Sequence, residues 1–349
     1  MRIGNNPNNE QLTGENIAFH RVIIPVYIPS ETEYFKDSWQ VFEYCLFSLL
    51  KTSSTQLKIS VVANGCCTEV NEKLFQLQKE GQIDELVIET EGIGKINSVL
   101  KAVRTAEERL ITITDADVLF DEGWEDAVLE VFKNFPRAGA VCPTPVFRKH
   151  FNLTGNIWMR YLFSKKLRFR PVQDPDAMTR FAKSIGWPWL DEKYKDLYAT
   201  LQLKDGSSAM VGCSHFVATY KREVFEEMPK GNTNFKIRGD SELRYTDLPV
   251  LKRGGYRLST INNYAFHMGN TPEDWMIEKF EALATTEKLN DPPKLPLLNK
   301  PIIGGMSCEK VFKFFISFKP IQRRILLMKG LNREQAANFL GTKTASQQS

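Results

Sequence analysis

The sequence predicts an α/β protein built around a mostly parallel sheet with helices on both faces, followed by a C-terminal helical extension. Short apolar, β-branched runs of strand length alternate with segments that carry apolar residues at helical spacing. The strand leading to residue 114 ends in two aspartates, which is where parallel sheets bind ligands. Alternation of this kind favours parallel strands because each crossover helix covers a face of the sheet.

The predicted elements follow one another without an internal repeat. The strands are the runs at residues 22–28, 57–63, 85–89, 110–114 and 138–142. Helical spacing separates them, within residues 39–50, 67–80, 96–103 and 124–135. After an irregular stretch, the chain resumes with a run at 210–220, a helix over 242–252 and a turn into 257–261.

These elements divide the chain into three predicted regions. Residues 1–19 form a polar leader, residues 20–270 the α/β domain, and residues 271–349 a helical extension with a polar tail. Regular alternation stops between 143 and 207, so this stretch is interpreted as an insertion that contributes to an acceptor region. Its run at 160–170 interleaves aromatic and basic residues. That run fits an acceptor site, an RNA-binding element or an amphipathic element with a solvated basic face.

Composition excludes several classes of protein. With 349 residues, 42% of them hydrophobic, the chain can bury a sizeable core. A net charge of +4 is too small for a nucleic-acid footprint, so no nucleic-acid partner is expected, although an anionic substrate or a membrane surface remains compatible. Six cysteines without Cys-x-x-Cys spacing predict reduced thiols. Without a signal-peptide pattern or a long apolar run, the predicted location is cytoplasmic.

Asp115 and Asp117 are the strongest candidates for chemistry. In an extended backbone, side chains two residues apart point to the same side, so both carboxylates can converge on one hard cation. The target of such a pair is a metal diphosphate. On the tripeptide alone, an Asp-rich turn after a strand is an equally good interpretation.

The loop at residues 91–95 is a second candidate. It matches neither the P-loop nor the dinucleotide fingerprint. Gly92 and Gly94 ahead of a helix nevertheless predict backbone N–H groups that approach a phosphate, with Lys95 adding charge. An ordinary loop and helix start is the alternative.

In their order along the chain, these segments resemble the family 2 inverting glycosyltransferases with the GT-A fold. The resemblance covers roughly residues 20–270. It rests on the segments 22–27, 42–50, 60–65, 94–103, Asp115-Ala116-Asp117, 212–225, 239–243 and 255–257.

The resemblance implies a metal-dependent enzyme that moves a sugar from a nucleotide-sugar donor to a hydroxyl acceptor with inversion. The donor, with a UDP-sugar favoured, would lie across Pro25, Tyr27, Asn64, Lys95 and Asp115. Mn²⁺ or Mg²⁺ would be held by Asp115, Asp117 and His267. The acceptor would be a glycan or a lipid-linked hydroxyl in polysaccharide synthesis.

Two departures from the family pattern affect these roles. Asn64 stands where the family often has an acidic residue that contacts the base. Where the family usually has an acidic pair ahead of its second helix, this chain has Gly239-Asp240, and the distance from Leu243 to Gly255 is longer than expected. The general base is therefore Asp240 first, with Glu242 and Asp247 as alternatives. His267 is weighed equally as ligand and structural residue, whereas His20, His150 and His215 are assigned to structure.

Two other functions remain as alternatives. A nucleotidyltransferase on a similar sheet would use the same metal-diphosphate chemistry and release pyrophosphate. A non-catalytic carbohydrate- or RNA-binding protein would not need the carboxylates.

The segment from Val311 to Lys329 mixes aromatic and aliphatic residues with bases and is split by Pro320. One interpretation is peripheral contact with the inner face of a membrane, apolar groups in the headgroup region and bases facing anionic lipid. The other is a terminal helix pair packed on the domain.

Overall fold

The computed structural model describes residues 18–187, 190–237, 239–302 and 304–341. The predicted polar leader and polar tail lie largely outside these ranges. The strands, in chain order β1 to β12, are His20–Val26, Leu57–Asn64, Glu85–Glu89, Leu110–Thr114, Val118–Phe120, Ala138–Cys142, Leu167–Pro171, Leu197–Gln202, Ser208–Val211, Val217–Lys221, Tyr256–Ser259 and Ala265–His267. The α-helices, α1 to α12, are Ser38–Thr52, Thr68–Lys79, Lys95–Val103, Trp124–Asn134, Gly155–Tyr161, Pro175–Ser184, Glu192–Asp196, Leu248–Lys252, Asp274–Ala282, Gly305–Ser317, Lys319–Met328 and Arg333–Leu340.

A single large sheet organises the described chain, with strand order β3-β2-β1-β4-β10-β6-β11-β9-β8-β7. The strands from β3 to β4 are parallel, as are β6 and β11. Strand β10 runs antiparallel between β4 and β6. The predicted α/β architecture, with helices around a central sheet and a helical C-terminal region, is confirmed.

The stretch predicted as an insertion contributes to this sheet. Strands β7, β8 and β9 pair antiparallel at one end of it. At the outer edge, the Phe169 amide of β7 donates to the Lys329 carbonyl, so the end of α11 covers part of the last strand. The basic and aromatic run at 160–170 thus forms the end of α5 and this strand.

The strands at the centre of the sheet are buried on both faces. Every residue of β4 and β6 is buried, and Val22, Ile23 and Ile24 of β1 are fully enclosed. Apolar β-branched runs of this kind suit parallel strands that helices cover from both sides. These strands therefore form a rigid base for the residues at their carboxyl ends.

The predicted helix over 242–252 forms as two pieces. Leu243–Asp247 is a π-helical turn, and α8 continues from Leu248. Pro249 has no N–H to donate to the carbonyl of Tyr245, so regular α-helical bonding cannot run through this position.

The C-terminal helices pack on the sheet through α5. The rings of Trp158 on α5 and Phe312 on α10 stack with centroids 5.6 Å apart, and both side chains are fully buried. Among the described helices, none has the length and apolar character needed to cross a membrane.

Candidate active site

The carboxyl end of β4 carries the aspartate pair. Asp115 follows the strand directly, and its amide donates to the Phe216 carbonyl at 2.7 Å, which ties it to the neighbouring β10. Strands β5 and β12 form a separate antiparallel ribbon in which His267 lies opposite Val118. The Met268 amide also donates to the Asp117 carbonyl at 2.8 Å. The ribbon therefore places His267 beside the second aspartate.

Asp115, Asp117 and His267 form a compact group of metal-ligand type. Each offers one ligand atom, and these atoms lie within 4.8 Å of one another. Asp117 Oδ2 is 3.4 Å from His267 Nε2. Burial raises the pKa of Asp117 to about 6; His267 acts against this rise, and the charge of Asp115 adds to it.

The group fits a divalent cation on its own chemistry. Asp117 Oδ1 and His267 Nδ1 are both enclosed and have no hydrogen-bond partner among the described residues. Enclosed polar atoms without partners are costly unless something binds them. Two carboxylates and an imidazole are ligands that Mn²⁺ accepts readily and Mg²⁺ accepts in part. The three residues that the sequence assigned to the metal are thus brought together.

Lys95, the first residue of α3, links this group to the segment after β10. Its ammonium lies 2.6 Å from Asp115 Oδ1 and donates to Glu242 Oε1 at 2.8 Å. Burial by itself lowers the pKa of Lys95, but the charges of Asp115 and Glu242 outweigh burial and raise it. Lys95 therefore stays charged between two carboxylates that are far apart in sequence.

The loop before α3 differs from its prediction in one respect. The side-chain oxygen of Asn64 accepts from the amides of Ile93 and Gly94, at 2.6 and 3.0 Å. The Gly94 amide is therefore engaged by Asn64 and is not free to approach a phosphate, whereas the prediction for the Gly92 amide stays a prediction. Asn64 instead holds the loop, in which Gly94 has φ 91° and approaches the backbone of Lys236.

The other predicted donor residues lie at the end of β1. Pro25 is the next-to-last residue of the strand, two residues beyond the last pairing with β4. Tyr27 follows, 47% exposed, with its ring edge-on to Phe35 at 5.8 Å. Its ring also lies beside Gly92. Tyr27, the Gly92 loop and Asn64 thus border one surface next to the aspartates.

A cavity of about 510 Å³ opens at this group. Its lining includes Lys95, Asp115, Glu242 and His267 from the predicted site. The remaining wall comes mainly from the 143–207 stretch: Val146, Phe147, Arg148, Lys149, Asn152, Phe181, Ile185 and Trp187. Sequence reasoning had placed an acceptor region somewhere in this stretch but had named none of these residues, since they show no spacing pattern of their own.

The three carboxylates considered as general base have different surroundings. Glu242 lines the cavity and is paired with Lys95. Asp247 is 3% exposed, with Oδ1 2.6 Å from Arg257 and Oδ2 3.2 Å from His215. Asp240 is about half exposed and lies 3.8 Å from Arg244. Only Glu242 borders the cavity among these three.

His215 was assigned to structure, yet it lines the cavity. Its Nδ1 is enclosed and has no hydrogen-bond partner in the described part of the chain. Burial, with Arg257 and Lys149 nearby, lowers the pKa of His215 well below its usual value, so the ring is neutral. Burial raises the pKa of its partner Asp247 to about 6, against the pull of Arg257. No local signal in the sequence distinguished His215 from a core histidine.

Comparisons with known proteins give the following matches. Residues 22–228, more than half of the chain, match the family described as glycosyl transferase family 2. No curated protein matches the chain.

Three solved structures illustrate the similarity. A mannosyltransferase from Pyrobaculum calidifontis, in complex with GDP-Man and Mn²⁺, is 17% identical with a TM-score of 0.41, covering 96% of this chain and 79% of that one. GalNAc-T7 with UDP, GalNAc and Mn²⁺ is 12% identical with a TM-score of 0.42, covering 73% of this chain and 44% of that one. TarS 1-349 from S. aureus is 12% identical with a TM-score of 0.42, covering 92% and 70%.

Proposed function

The chain belongs to glycosyl transferase family 2 and is a glycosyltransferase, and we propose that it transfers a sugar from a nucleotide-sugar donor to a hydroxyl acceptor with inversion. The observation that carries the proposal is the convergence of Asp115, Asp117 and His267 beside a cavity. Family membership favours sugar transfer over nucleotidyl transfer, and an intact carboxylate pair favours catalysis over a binding role.

We assign the metal to Asp115, Asp117 and His267. A divalent cation held there supplies the positive charge that a departing nucleoside diphosphate needs. Lys95 adds a second fixed positive charge, because its ammonium remains protonated between Asp115 and Glu242. With a divalent cation bound, two positive charges would lie on the side where negative charge develops.

The donor is proposed to lie over Tyr27, the Gly92 loop and Asn64. Tyr27 offers an exposed ring face for stacking, and Asn64 fixes the loop that leads into Lys95. Pro25 contributes the fixed backbone at the end of β1. A UDP-sugar is the first donor to test.

The acceptor is proposed to enter through the wall formed by the 143–207 stretch. Phe181 and Trp187 supply apolar faces, and Arg148 and Lys149 supply hydrogen-bond donors. Mixed lining of this kind suits a glycan or a lipid-linked hydroxyl of the type used in polysaccharide synthesis. We place this reaction in the cytoplasm.

Asp240 remains our first choice for the general base. Glu242 already shares Lys95 with Asp115, and Asp247 is enclosed with Arg257, so both carboxylates have strong cationic partners. Asp240 has only the distant Arg244 among described residues and keeps Oδ1 without a hydrogen-bond partner there. That unpaired oxygen is available to accept the proton of the acceptor hydroxyl.

A panel of nucleotide sugars with Mn²⁺ tests the function. Release of nucleoside diphosphate that depends on both metal and acceptor is expected for one donor, and the product should have inverted anomeric configuration. Pyrophosphate release from nucleoside triphosphates, or retention of configuration, would contradict the proposal.

Substitution of the carboxylates separates their roles. Asp117→Ala should abolish Mn²⁺-dependent binding of a nucleoside diphosphate in calorimetry, with the fold intact. Asp240→Asn should lower turnover and keep donor affinity, because an amide preserves shape but cannot accept a proton. Glu242→Gln should change donor affinity in addition to turnover, because it removes the negative charge that pairs with Lys95. Full turnover in Asp240→Asn would transfer the role of base to Glu242 or Asp247.

A further inference from the structure

Helix α10 carries apolar residues on two sides, and the fold covers only one of them. The covered side contains Phe312, whose ring stacks on Trp158 of α5. The other side presents Val311, Phe314 and Phe315, and Phe318 directly after the helix continues the i, i+3, i+4, i+7 spacing. We name these four residues the outer stripe. A stripe of this regularity normally lies against an apolar neighbour.

The outer stripe is exposed in the folded chain. Its members are between 43% and 63% exposed, Phe314 the most. The ring of Phe314 packs edge-on against Phe315 and Phe318, with centroids 5.8 and 5.2 Å apart, so the three aromatics form one continuous patch. Ile321 and Met328 extend the apolar surface onto α11, at 38% and 45% exposure. A contiguous apolar patch of this kind marks an interaction surface.

The charge around the patch is strongly one-sided. Between residues 305 and 328 the chain carries five bases and one acid, an excess equal to the net charge of +4 of the whole chain. The single acid, Glu309, is buried, accepts from the amides of Leu153 and Gly155, and lies 3.2 Å from the ammonium of Lys313. The bases are Lys310, Lys313, Lys319, Arg323 and Arg324, all exposed. The surface is therefore apolar with a basic surround.

Two neighbouring features continue this surface beyond the helix pair. Val311 borders a second cavity, of about 660 Å³, whose lining includes Arg137 and Arg160. The Lys329 ammonium donates to the carbonyls of Tyr161 and Ser164, which holds the intervening turn against the end of α11. That turn carries Phe163, which is 89% exposed.

We propose that α10 and α11 bind the surface of an anionic lipid bilayer, with the outer stripe in the headgroup region and the bases facing lipid phosphate. Helix α10 has 13 residues and is about 20 Å long, shorter than the roughly 30 Å hydrocarbon core, so it lies in the plane of the surface. Charge complementarity selects this occupant, since a second copy of the chain would bring one basic surface against another.

The attachment would also orient the cavity. Glu309 holds the backbone of Leu153 and Gly155, immediately after Asn152, which lines the catalytic cavity. The bilayer-binding helix is thus fixed directly to the wall at which the acceptor is proposed to enter. A lipid-linked acceptor would reach that wall without leaving the membrane.

Vesicle flotation of the full chain tests the proposal, without donor, acceptor or metal. Flotation is expected with vesicles of equal parts phosphatidylglycerol and phosphatidylcholine, and it should weaken as salt increases. The double variant Phe314→Ser/Lys310→Gln should bind these vesicles roughly tenfold more weakly, because it removes one inserted ring and one base. Since no turnover is measured, the result is independent of the proposed reaction.

The chain offers a matched control on α2. Phe75 is 50% exposed, and Lys79, four residues later, lies over its ring. Phe75→Ser/Lys79→Gln removes the same two groups elsewhere and should leave flotation unchanged; circular dichroism should report the same fold for both variants. Three results would overturn the proposal. They are an equal loss of flotation in both variants, equal flotation with vesicles of phosphatidylcholine alone, and a dimer in solution that the Phe314 variant dissociates.

Discussion

Replacing Glu125 by glutamine is expected to lower the free energy of unfolding by about 3 kcal/mol at pH 7. The carboxylate is 1% exposed on α4 and accepts from Nδ1 of His20 at 2.5 Å and from the hydroxyl of Thr55 at 2.6 Å. It also accepts from the amides of Ser54 and Thr55, each at 2.8 Å. His20 in turn bonds Thr112 of β4, so the network lies beneath the strand that delivers Asp115.

The magnitude follows from the pKa of this carboxylate. Burial raises the pKa of Glu125, but the hydrogen bonds from His20 and Thr55 and the attraction of His20 outweigh burial and lower it from 4.5 to about 2. That difference corresponds to about 3 kcal/mol in favour of the folded, ionised state. Because the folded pKa lies below the unfolded one, this stabilisation is fully present above pH 4.5 and is lost as pH falls towards 2.

Urea unfolding of wild type and Glu125→Gln measures the effect. The difference in free energy of unfolding between the two proteins should be about 3 kcal/mol at pH 7 and should decrease by about half near pH 3. Glu130→Gln, on the same helix but exposed, is the control and should change stability by less than about 0.5 kcal/mol. A gap below about 1 kcal/mol at pH 7, or one that does not narrow in acid, would refute the reasoning.

Three further predictions concern the site. His267→Ala should weaken Mn²⁺ affinity more than Mg²⁺ affinity in calorimetry, because imidazole suits the softer ion; equal loss would remove it as a ligand. In Gly94→Ala the new Cβ would lie 2.4 Å from the Lys236 carbonyl oxygen, on a residue whose φ is 91°, so the loop must shift and nucleoside diphosphate affinity should fall roughly tenfold. Gly81→Ala is the control, because Gly81 has a similar φ of 75° but open space around it, and it should leave this affinity unchanged. The pKa of Asp247 is about 6 in the folded protein against an ordinary value of 3.8, so its contribution to stability falls by about 2 kcal/mol as pH rises from 4 to 6. In urea unfolding Asp247→Asn should lack this fall, and parallel pH profiles would contradict it.

The sequence determined the central buried strands and the aspartate pair. The predicted run 110–114 is the observed β4, and 138–142 is the observed β6. Burial on both faces requires continuous apolar runs, and such runs are visible locally. The i, i+2 spacing of the aspartates after β4 likewise predicts, from the local sequence alone, that the two carboxylates point to the same side of the chain.

Only the tertiary structure decided which distant groups meet. Lys95 pairs with Asp115 and with Glu242, which lies 147 residues after Lys95 in the chain. His267 reaches Asp117 through the register of a ribbon whose strands are three residues each. No local period encodes such pairings, because register and crossover set them. For the same reason the sequence did not predict that Asn64 holds the loop before Lys95. Periodicity specifies which side chains a segment buries, whereas the partner that each polar group finds depends on how the whole sheet is assembled.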